Sequence, residues 1–200
     1  MGRPTKENSL SRQDVIAAAI CCVDQVGASA LGVSRVAEHL GIKPPAIYKH
    51  LESGAALQRA TVIELWRQYL ADCQSAIADQ SISPDLLKQL GHFTRNFAKT
   101  HPARYQVMMQ VQLQPTDPEA AAVIQQALSF LRQALQAYDL NDTQLIDVMR
   151  MLNAAIYGFI SIEQAGIMTL ERSPDQSYDV MLDALMAAIA HVQQKKAEGE

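Results

Sequence analysis

Cysteine is scarce in this 200-residue sequence, and the three that occur, Cys21, Cys22 and Cys73, form no CxxC pair. An odd count without that spacing argues against a disulfide scaffold and indicates a reducing compartment. Cys21 and Cys22 are adjacent on a predicted helix, so they point in different directions, and a disulfide between them would strain the backbone. A thiol redox sensor is therefore a disfavoured alternative.

Long apolar runs and catalytic signatures are also missing. No apolar run approaches membrane-spanning length, and the N-terminal MGRPTKENSLSRQ has no apolar core, which argues against a secretory signal. There is no HExxH, GxSxG, P-loop or Rossmann glycine pattern. The five histidines are scattered, and His92 and His101 lack carboxylates in a metal-like arrangement. We therefore expect no enzyme, no cofactor, no metal and no membrane partner, and a cytoplasmic location.

Positive charge is not in excess over the whole chain. The formal net charge of −4 argues against a non-specific nucleic-acid binder. Residues 1–70 carry eight Lys or Arg against six Asp or Glu, whereas residues 71–200 carry nine against fifteen. This modest asymmetry permits a DNA-contacting first part followed by an acidic remainder.

Residues that favour helices dominate what is present. Alanine, leucine, glutamine and methionine are plentiful, whereas aromatic residues make up only 6%. Apolar residues recur at steps of three and four along most of the chain, interrupted by Pro, Gly, Asn and Asp. The pattern predicts an all-α fold of about nine helices, with a small N-terminal unit and a larger helical bundle. The predicted helices run from the cap Ser11 to about Val26, from the cap Ser34 to Leu40, over 43–51, from Ala56 to about Ala78, and over about 84–99, 102–113, 118–138, 142–167 and 175–195.

The short helices at 34–40 and 43–51 flank Gly41 and predict a helix-turn-helix. Gly41 can supply the positive φ that ends the first of these helices, and Ala37 is small where the two helices must approach each other. In this motif the second helix enters the DNA major groove. The shared apolar core would be formed by Val36, Leu40, Ile42, Ile47 and Leu51.

The stretch KPPAIYKH begins the second of these helices with Pro44 and Pro45. Proline is favourable in a first turn, because the N–H it lacks would have no partner there and its φ is already helical. With Ala46, the prolines form an apolar tip that can contact thymine methyl groups, and Lys43 can reach a base edge or a phosphate. Phosphate contacts, which hold the register on DNA, would come one turn later from Tyr48, Lys49 and His50.

Residues 11–70 closely resemble the N-terminal domain of the tetracycline-repressor (TetR) family of bacterial regulators. The resemblance runs through VSRVAEHLGIKPPAIYKHLESGAAL and includes the preceding helix, which ends at Gly27. Farther along, FAKTHPARYQVMM and NAAIYGFISIEQAG resemble one branch of the family's ligand-binding domains. In that branch a short motif of an aromatic residue or histidine plus glycine lies on the penultimate helix, and Tyr157–Gly158 matches it.

The resemblance implies a homodimer, normally a repressor, that binds a palindromic operator in double-stranded DNA. Residues 1–55 would form the arm and the helix-turn-helix DNA-binding domain. Residues 56–200 would form the helical ligand-binding and dimerisation domain, where a small apolar or amphipathic effector weakens DNA binding. Ser34 and Arg35 would contact the DNA backbone or an outer base. Bases would face Lys43, Pro44, Pro45 and Ala46, and phosphates would face Tyr48, Lys49 and His50.

Gly54 departs from the family pattern, because members usually carry a lysine at the start of the fourth helix. We therefore expect one phosphate contact to be missing, and the nearby Glu52 is mildly unfavourable for DNA. The result would be a modest loss of affinity, or compensation from the N-terminal arm through Arg3 and Lys6.

The last two long helices, at about 142–167 and 175–195, are the pair that forms the dimer in the family. Broad apolar faces on both favour an interface, although the same faces could close a monomeric core. The apolar stripes include Leu145, Val148, Leu152, Ile156, Phe159, Ile160, Val180, Leu182, Leu185, Ala188 and Ile189.

An effector pocket is expected between helices of the bundle, lined by apolar and aromatic side chains. The same side chains could equally be ordinary core. The candidate residues are Trp66, Phe93, Phe97, Tyr105, Met108, Met109, Phe130 and Tyr157. A helical small-molecule-binding or scaffold protein with weak or lost DNA binding is the alternative function.

Overall fold

The computed structural model describes residues 10–77 and 84–198, and within these ranges the chain is helical and contains no strand. The predicted all-α fold class is confirmed, whereas the arm with Arg3 and Lys6 lies outside the described residues. Single turns of 3-10 helix follow α1 at Ala28–Ala30 and α7 at Gln136–Tyr138. The described α-helices are α1 (Arg12–Val26), α2 (Val33–His39), α3 (Pro44–Ile47), α4 (Gly54–Ile77), α5 (Pro84–Thr100), α6 (Pro102–Gln110), α7 (Pro118–Ala134), α8 (Asp142–Gln164) and α9 (Pro174–Glu198).

Short sequence motifs explain where several helices begin. The Ser11 hydroxyl accepts a hydrogen bond from the Asp14 amide at 3.1 Å, and the Asp14 carboxylate accepts one from the Ser11 amide at 2.8 Å. Asn141 and Gln144 exchange the same pair of bonds at the start of α8. These reciprocal bonds satisfy amides that have no partner in the first helical turn. The predicted cap at Ser11 is therefore confirmed.

Several predicted helix boundaries are wrong, among them one in α2 and one in α6. Ser34 is not the cap of α2, because the helix begins one residue earlier, after Gly32, whose backbone is extended and which provides no side-chain cap. The sixth helix ends at Gln110 rather than at 113, since Val111 already has extended backbone angles. Both errors arose where no strong local signal marks the terminus.

The described chain divides into two compact units. The first consists of the chain up to Leu70 together with His101–Ile124, and the second consists of Ala71–Thr100 together with the chain from Gln125 onward. These units do not coincide with the boundary expected after residue 55. The assignment of DNA binding to one side of that boundary and of ligand binding and dimerisation to the other stays a prediction.

The first unit extends beyond residue 55 because α4 contributes its core. Leu57 and Val62 of that helix are fully buried, as are Val36 and Ile47 of the short helices before it. Helix α6 also packs against α1 in this unit. Arg104 of α6 donates two hydrogen bonds to Asp24 near the end of α1, at 2.7 and 2.6 Å.

The second unit is built where α5, α8 and α9 meet. Gly91 lets α5 approach α9 closely, because a Cβ atom at this position would lie 2.8 Å from a methyl carbon of Leu182. The buried Tyr178 hydroxyl donates a hydrogen bond to the Gly91 carbonyl at 2.7 Å. The helix crossing is therefore fixed both by packing and by a polar contact.

The apolar stripes predicted for a dimer interface lie mostly inside this unit. Leu152 and Ile160 of α8 and Leu182 of α9 are at most 5% exposed, so they close the core of their own chain. Val180, 56% exposed, is the one exposed member of the predicted stripes.

Helix α8 is long and apolar enough to cross a membrane, judged by length and composition alone. Core helices of other proteins can share this property.

Arg95 of α5 lies at the centre of a charged network in the second unit, with only 7% of its side chain exposed. Its guanidinium donates to both carboxylate oxygens of Glu163 on α8, at 2.8 and 2.5 Å, and lies 2.7 Å from the Asp175 carboxylate at the start of α9. Lys99 pairs with both acids, at 3.3 and 3.2 Å. The guanidinium also lies over the Tyr178 ring, 4.8 Å from its centroid.

Hydrogen bonds within this network shift the ionisation of its members. The Arg95 guanidinium, with a smaller contribution from Lys99, holds the pKa of Glu163 and of Asp175 below the ordinary carboxyl values. The same bond to Glu163 raises the pKa of Arg95. Arg95, Glu163 and Asp175 are therefore charged at neutral pH, and together with Lys99 they join the end of α8 and the start of α9 to α5.

Candidate nucleic-acid interface

The turn between α2 and α3 is held by backbone hydrogen bonds. The Gly41 amide donates to the Glu38 carbonyl at 3.0 Å, and the Ile42 amide donates to the Ala37 carbonyl at 2.9 Å. Gly41 has a φ of 66°, in the left-handed region that glycine adopts without steric cost. The predicted role of Gly41 is confirmed, and Ala37 is buried at the crossing of the two helices, as expected.

Helix α3 is very short and begins as predicted. Lys43 occupies the cap position with extended backbone, and the two prolines fill the first two helical positions. The regular helix ends at Ile47 instead of continuing to 51, and hydrogen-bonded turns carry the chain to Leu51. Ile47 is fully buried and Leu51 is 5% exposed, so packing within the first unit anchors the end of α3 and the turns that follow it.

The side chains predicted to contact DNA lie on the surface of the first unit. Tyr48 is half exposed, and Ala46 and His50 are intermediate. The remaining predicted contacts are all exposed, namely Ser34, Arg35, Lys43, Pro44, Pro45 and Lys49. We call the segment Pro44–His50, which includes α3 and the turns after it, the recognition turn.

Arg35 is not free on this surface, because Glu38 lies one helical turn away. Its guanidinium is 3.1 Å from the Glu38 carboxylate, and the two side chains are 53% and 72% exposed. Such an exposed pair contributes little to stability and can exchange one partner for another. Arg35 can therefore turn to a phosphate without destabilising the fold.

The start of α4 has room for a side chain at Gly54. Ser53 caps the helix by accepting a hydrogen bond from the Ala56 amide at 3.0 Å. A Cβ atom at Gly54 would lie 3.7 Å from a methyl carbon of Val33, which is an ordinary contact distance. Packing therefore does not require glycine here, and the absence of the usual lysine is a chemical difference rather than a steric one.

A cleft of about 430 Å³ lies beside the recognition turn and was not foreseen from the sequence. Arg12 at the start of α1 and Arg59 on α4 line it, together with Asp117 and Glu119 at the start of α7. Arg12 pairs with Glu119 and Arg59 with Asp117, each at 2.8 Å. The stretch DPE does predict a helix start, but nothing local in the sequence indicates which arginines its acids bind.

The predicted effector-pocket residues are divided between the two units. Trp66, Tyr105, Met108 and Met109 belong to the first unit, and of these Tyr105 and Met108 are buried. Tyr157 in the second unit is 47% exposed, so its ring faces outward from its own chain. The other second-unit candidates are Phe93, Phe97 and Phe130, of which Phe97 and Phe130 are buried. Their role in ligand binding stays a prediction.

The environment of Cys22 is unlike that of a reactive thiol. Cys22 is buried, and desolvation raises the pKa of its thiol, which lowers the fraction of reactive thiolate. Its Sγ atom lies 3.9 Å from the Arg35 carbonyl. Across the described ranges, no three His, Cys, Asp or Glu side chains are grouped so as to hold a metal ion.

Comparison with other sequences identifies relatives of this chain. Residues 87–185 match the family described as tetracyclin repressor-like, C-terminal domain. The uncharacterized HTH-type transcriptional regulator Rv0681 of Mycobacterium tuberculosis is 28% identical over 168 residues, covering 84% of this chain and 75% of the relative.

Solved structures share the fold along nearly the whole chain. BioQ of Mycobacterium smegmatis is 21% identical with a TM-score of 0.69, covering 92% of this chain and 99% of that one. A TetR variant from Acinetobacter baumannii AYE in complex with minocycline is 19% identical with a TM-score of 0.68, at the same coverage. At these identities the structures show the fold alone. The structures thus support the fold, and the two sequence matches bear out the resemblance to the tetracycline-repressor family.

Proposed function

We propose that this chain belongs to the tetracycline-repressor family and is a ligand-responsive transcriptional regulator that binds double-stranded operator DNA as a homodimer. One observation carries the proposal. Tyr48 and Lys49 are exposed on the recognition turn, which is anchored by the fully buried Ile47, and Lys43 is exposed directly before it. Cationic and aromatic groups on a rigid, exposed element suit contacts to phosphates and base edges.

The division of contacts follows from the chemistry of the recognition turn. Pro44, Pro45 and Ala46 offer few hydrogen-bonding groups, so they would contact thymine methyl groups, and the shape of the DNA would contribute to specificity. Lys43 would reach a base edge or a phosphate. Tyr48 and Lys49 would hold the protein on the phosphates, with His50, and Ser34 and Arg35 would add contacts from α2.

Homodimerisation is proposed through the outward faces of α8 and α9. Ile146 and Tyr157 on α8 are about half exposed and lie eleven residues apart, which is three helical turns, so they share one face. A Cβ atom at Gly158 would meet nothing within 4 Å, and Val180 is exposed on α9. A second copy would cover these apolar groups, and the two-fold symmetry of the dimer would match a palindromic operator.

The effector is proposed to act by shifting the population of dimer geometries. DNA-competent dimers hold their recognition elements about 34 Å apart, one turn of the double helix. A small apolar or amphipathic ligand that prefers another spacing would weaken DNA binding, as in a repressor released by its inducer. A thermal-shift screen should find compounds that raise Tm, and an effector among them should also reduce DNA binding.

The first test is a footprint of the purified protein on DNA flanking its own gene, at two salt concentrations. A short, two-fold symmetric protected site whose affinity falls with salt is expected. If no site is found, selection from random-sequence DNA follows. Failure of that selection at low salt would overturn the proposal.

Failure of both DNA experiments would favour the second candidate, a helical small-molecule-binding or scaffold protein with lost DNA binding. Gly54 in place of the usual lysine is the observation that supports this alternative.

A further inference from the structure

Asp117 has two structural roles at the beginning of α7. One carboxylate oxygen caps the helix by accepting hydrogen bonds from the amides of Glu119 at 2.9 Å and Ala120 at 3.5 Å. The other oxygen lies 2.8 Å from Arg59 Nε on α4. A single side chain therefore ties the start of one helix to the second turn of another.

Glu119 extends this connection to α1. Its carboxylate accepts a hydrogen bond at 2.8 Å from Arg12 in the first turn of that helix. Because Asp117 and Glu119 are two residues apart on the same turn, their two ion pairs link α1 to α4 through the start of α7. We call this arrangement the acidic bridge.

The acidic bridge and the recognition turn line the same cleft. Tyr48, Lys49 and His50 form part of its wall, with Arg12 and Arg59 beside them. Helix α3 has only four residues, too few to be stable as an isolated helix, so neighbouring elements must set its position. Helix α2 packs directly against α3, and α1 and α4 supply residues to the cleft wall beside the turns that follow α3.

We propose that Asp117 is a positioning residue for DNA binding, which with Glu119 fixes α1 and α4 relative to each other and so sets the recognition turn. The inference rests on the proposed function. The bridge also lies at the start of a helix that continues to Ala134, and from Gln125 onward that helix belongs to the second unit.

The exposure of the bridge distinguishes this role from a structural one. The side chains of Arg12 and Glu119 are 40% and 48% exposed, and those of Arg59 and Asp117 are 42% and 22% exposed. Exposed ion pairs contribute little to folding stability. Loss of the bridge should therefore change DNA affinity and leave Tm nearly unchanged.

The test is a double-mutant cycle of Asp117→Asn and Arg59→Gln. Asparagine caps helices as well as aspartate does, so the first variant removes the ion pair and keeps the start of α7. The second variant removes the same pair from the other side. The two changes alter the net charge in opposite directions, and the double variant restores it.

The readouts are Tm and the Kd for two DNA duplexes, one carrying the site that the wild-type protein protects or selects and the other of random sequence. Both single variants should weaken binding to the selected site by about two- to sixfold, with a smaller effect on random DNA. The double variant should be no weaker than the single ones. Arg67→Gln on the same helix, where Arg67 lies 3.7 Å from Glu64, removes a positive charge away from the bridge and serves as the control.

Several outcomes would overturn the inference. Opposite effects of the two single variants, tighter binding for Asp117→Asn and weaker for Arg59→Gln, would mean that only net charge matters. A loss of DNA affinity in the double variant equal to the sum of the two single losses would also exclude a positioning role. The same conclusion would follow if Arg67→Gln weakened binding as much as Arg59→Gln, or if both single variants bound DNA with the affinity of wild type. A wild-type protein that binds no duplex would instead contradict the proposed function, so the two failures are distinguishable.

Discussion

The two compact units use long-range ion pairs in different ways. In the first unit the pairs are at the surface, as in Arg59 with Asp117, whose side chains are 42% and 22% exposed. In the second unit the Arg95 side chain is 7% exposed and that of its partner Glu163 is 16% exposed. Exposed pairs cost little to break, whereas a buried charge left alone is strongly destabilising. The exposed pairs of the first unit therefore contribute little to stability, whereas loss of the Arg95 pair should destabilise the second unit.

Arg95→Met should give the largest effect, because it removes both hydrogen bonds from Arg95 to the largely buried Glu163 carboxylate and leaves only Lys99 to pair with it. We expect the free energy of unfolding to fall by about 3–5 kcal/mol, whereas Arg104→Met in the first unit, which breaks a partly exposed pair with Asp24, should cost about 1 kcal/mol or less. Urea denaturation followed by circular dichroism measures both. Equal losses in the two variants would remove the distinction between the units.

Acidification should weaken the second unit through the same network. The folded-state pKa values of Glu163 and Asp175 lie below their ordinary values of 4.5 and 3.8. Depressed carboxyl pKa values contribute stability that is fully present above the ordinary values and is lost as the pH falls through the folded-state ones. At pH values below about 4.5 the protection factors of the α8 and α9 amides, which take account of the slower intrinsic exchange in acid, should therefore fall.

Glu163→Gln is the matched variant for that measurement, because it retains the shape of the side chain without a titrating group. The variant should have lower amide protection factors than wild type at pH 7, and those factors should decrease less on acidification. A pH dependence identical to that of wild type would assign the acid sensitivity to other groups.

Gly54→Lys should give the smallest effect and act in the first unit alone. The open space at Gly54 accepts a side chain, and a lysine there can supply the phosphate contact that family members make. We expect an affinity gain of about three- to tenfold at low salt, and a slope of log K against log salt that is steeper by about 0.9. Gly54→Gln is the uncharged control and should leave the slope unchanged.

Local chemistry made several elements predictable from the sequence. Gly41 ends α2 because only glycine adopts its φ freely, and Pro44 and Pro45 begin α3 because their missing amides are not needed there. Ser11 and Asp14 lie three residues apart, so their mutual capping follows from spacing. Ser34 has the right chemistry for a cap and still lies inside a helix, because a neighbouring extended glycine begins that helix earlier.

Periodicity identified apolar helix faces but not what covers them. Leu152 and Leu182 belong to stripes assigned to a partner and instead pack inside their own chain, whereas Ile146 and Tyr157 are exposed. A helix that is apolar on more than one side gives the same sequence pattern in both cases. The exposed fraction of each side chain becomes known only when the neighbouring helices are in place.

The sequence by itself determined the helical fold class, most helix ends and the recognition turn, since these depend on propensity, capping and φ within a few residues. Only the tertiary structure decided that Asp117 meets Arg59 and that Arg95 is buried between Glu163 and Tyr178. Those partners are more than fifty residues apart, and side chains so distant are brought together by packing of whole helices. No local preference encodes that packing, because it depends on how all the buried surfaces fit at once.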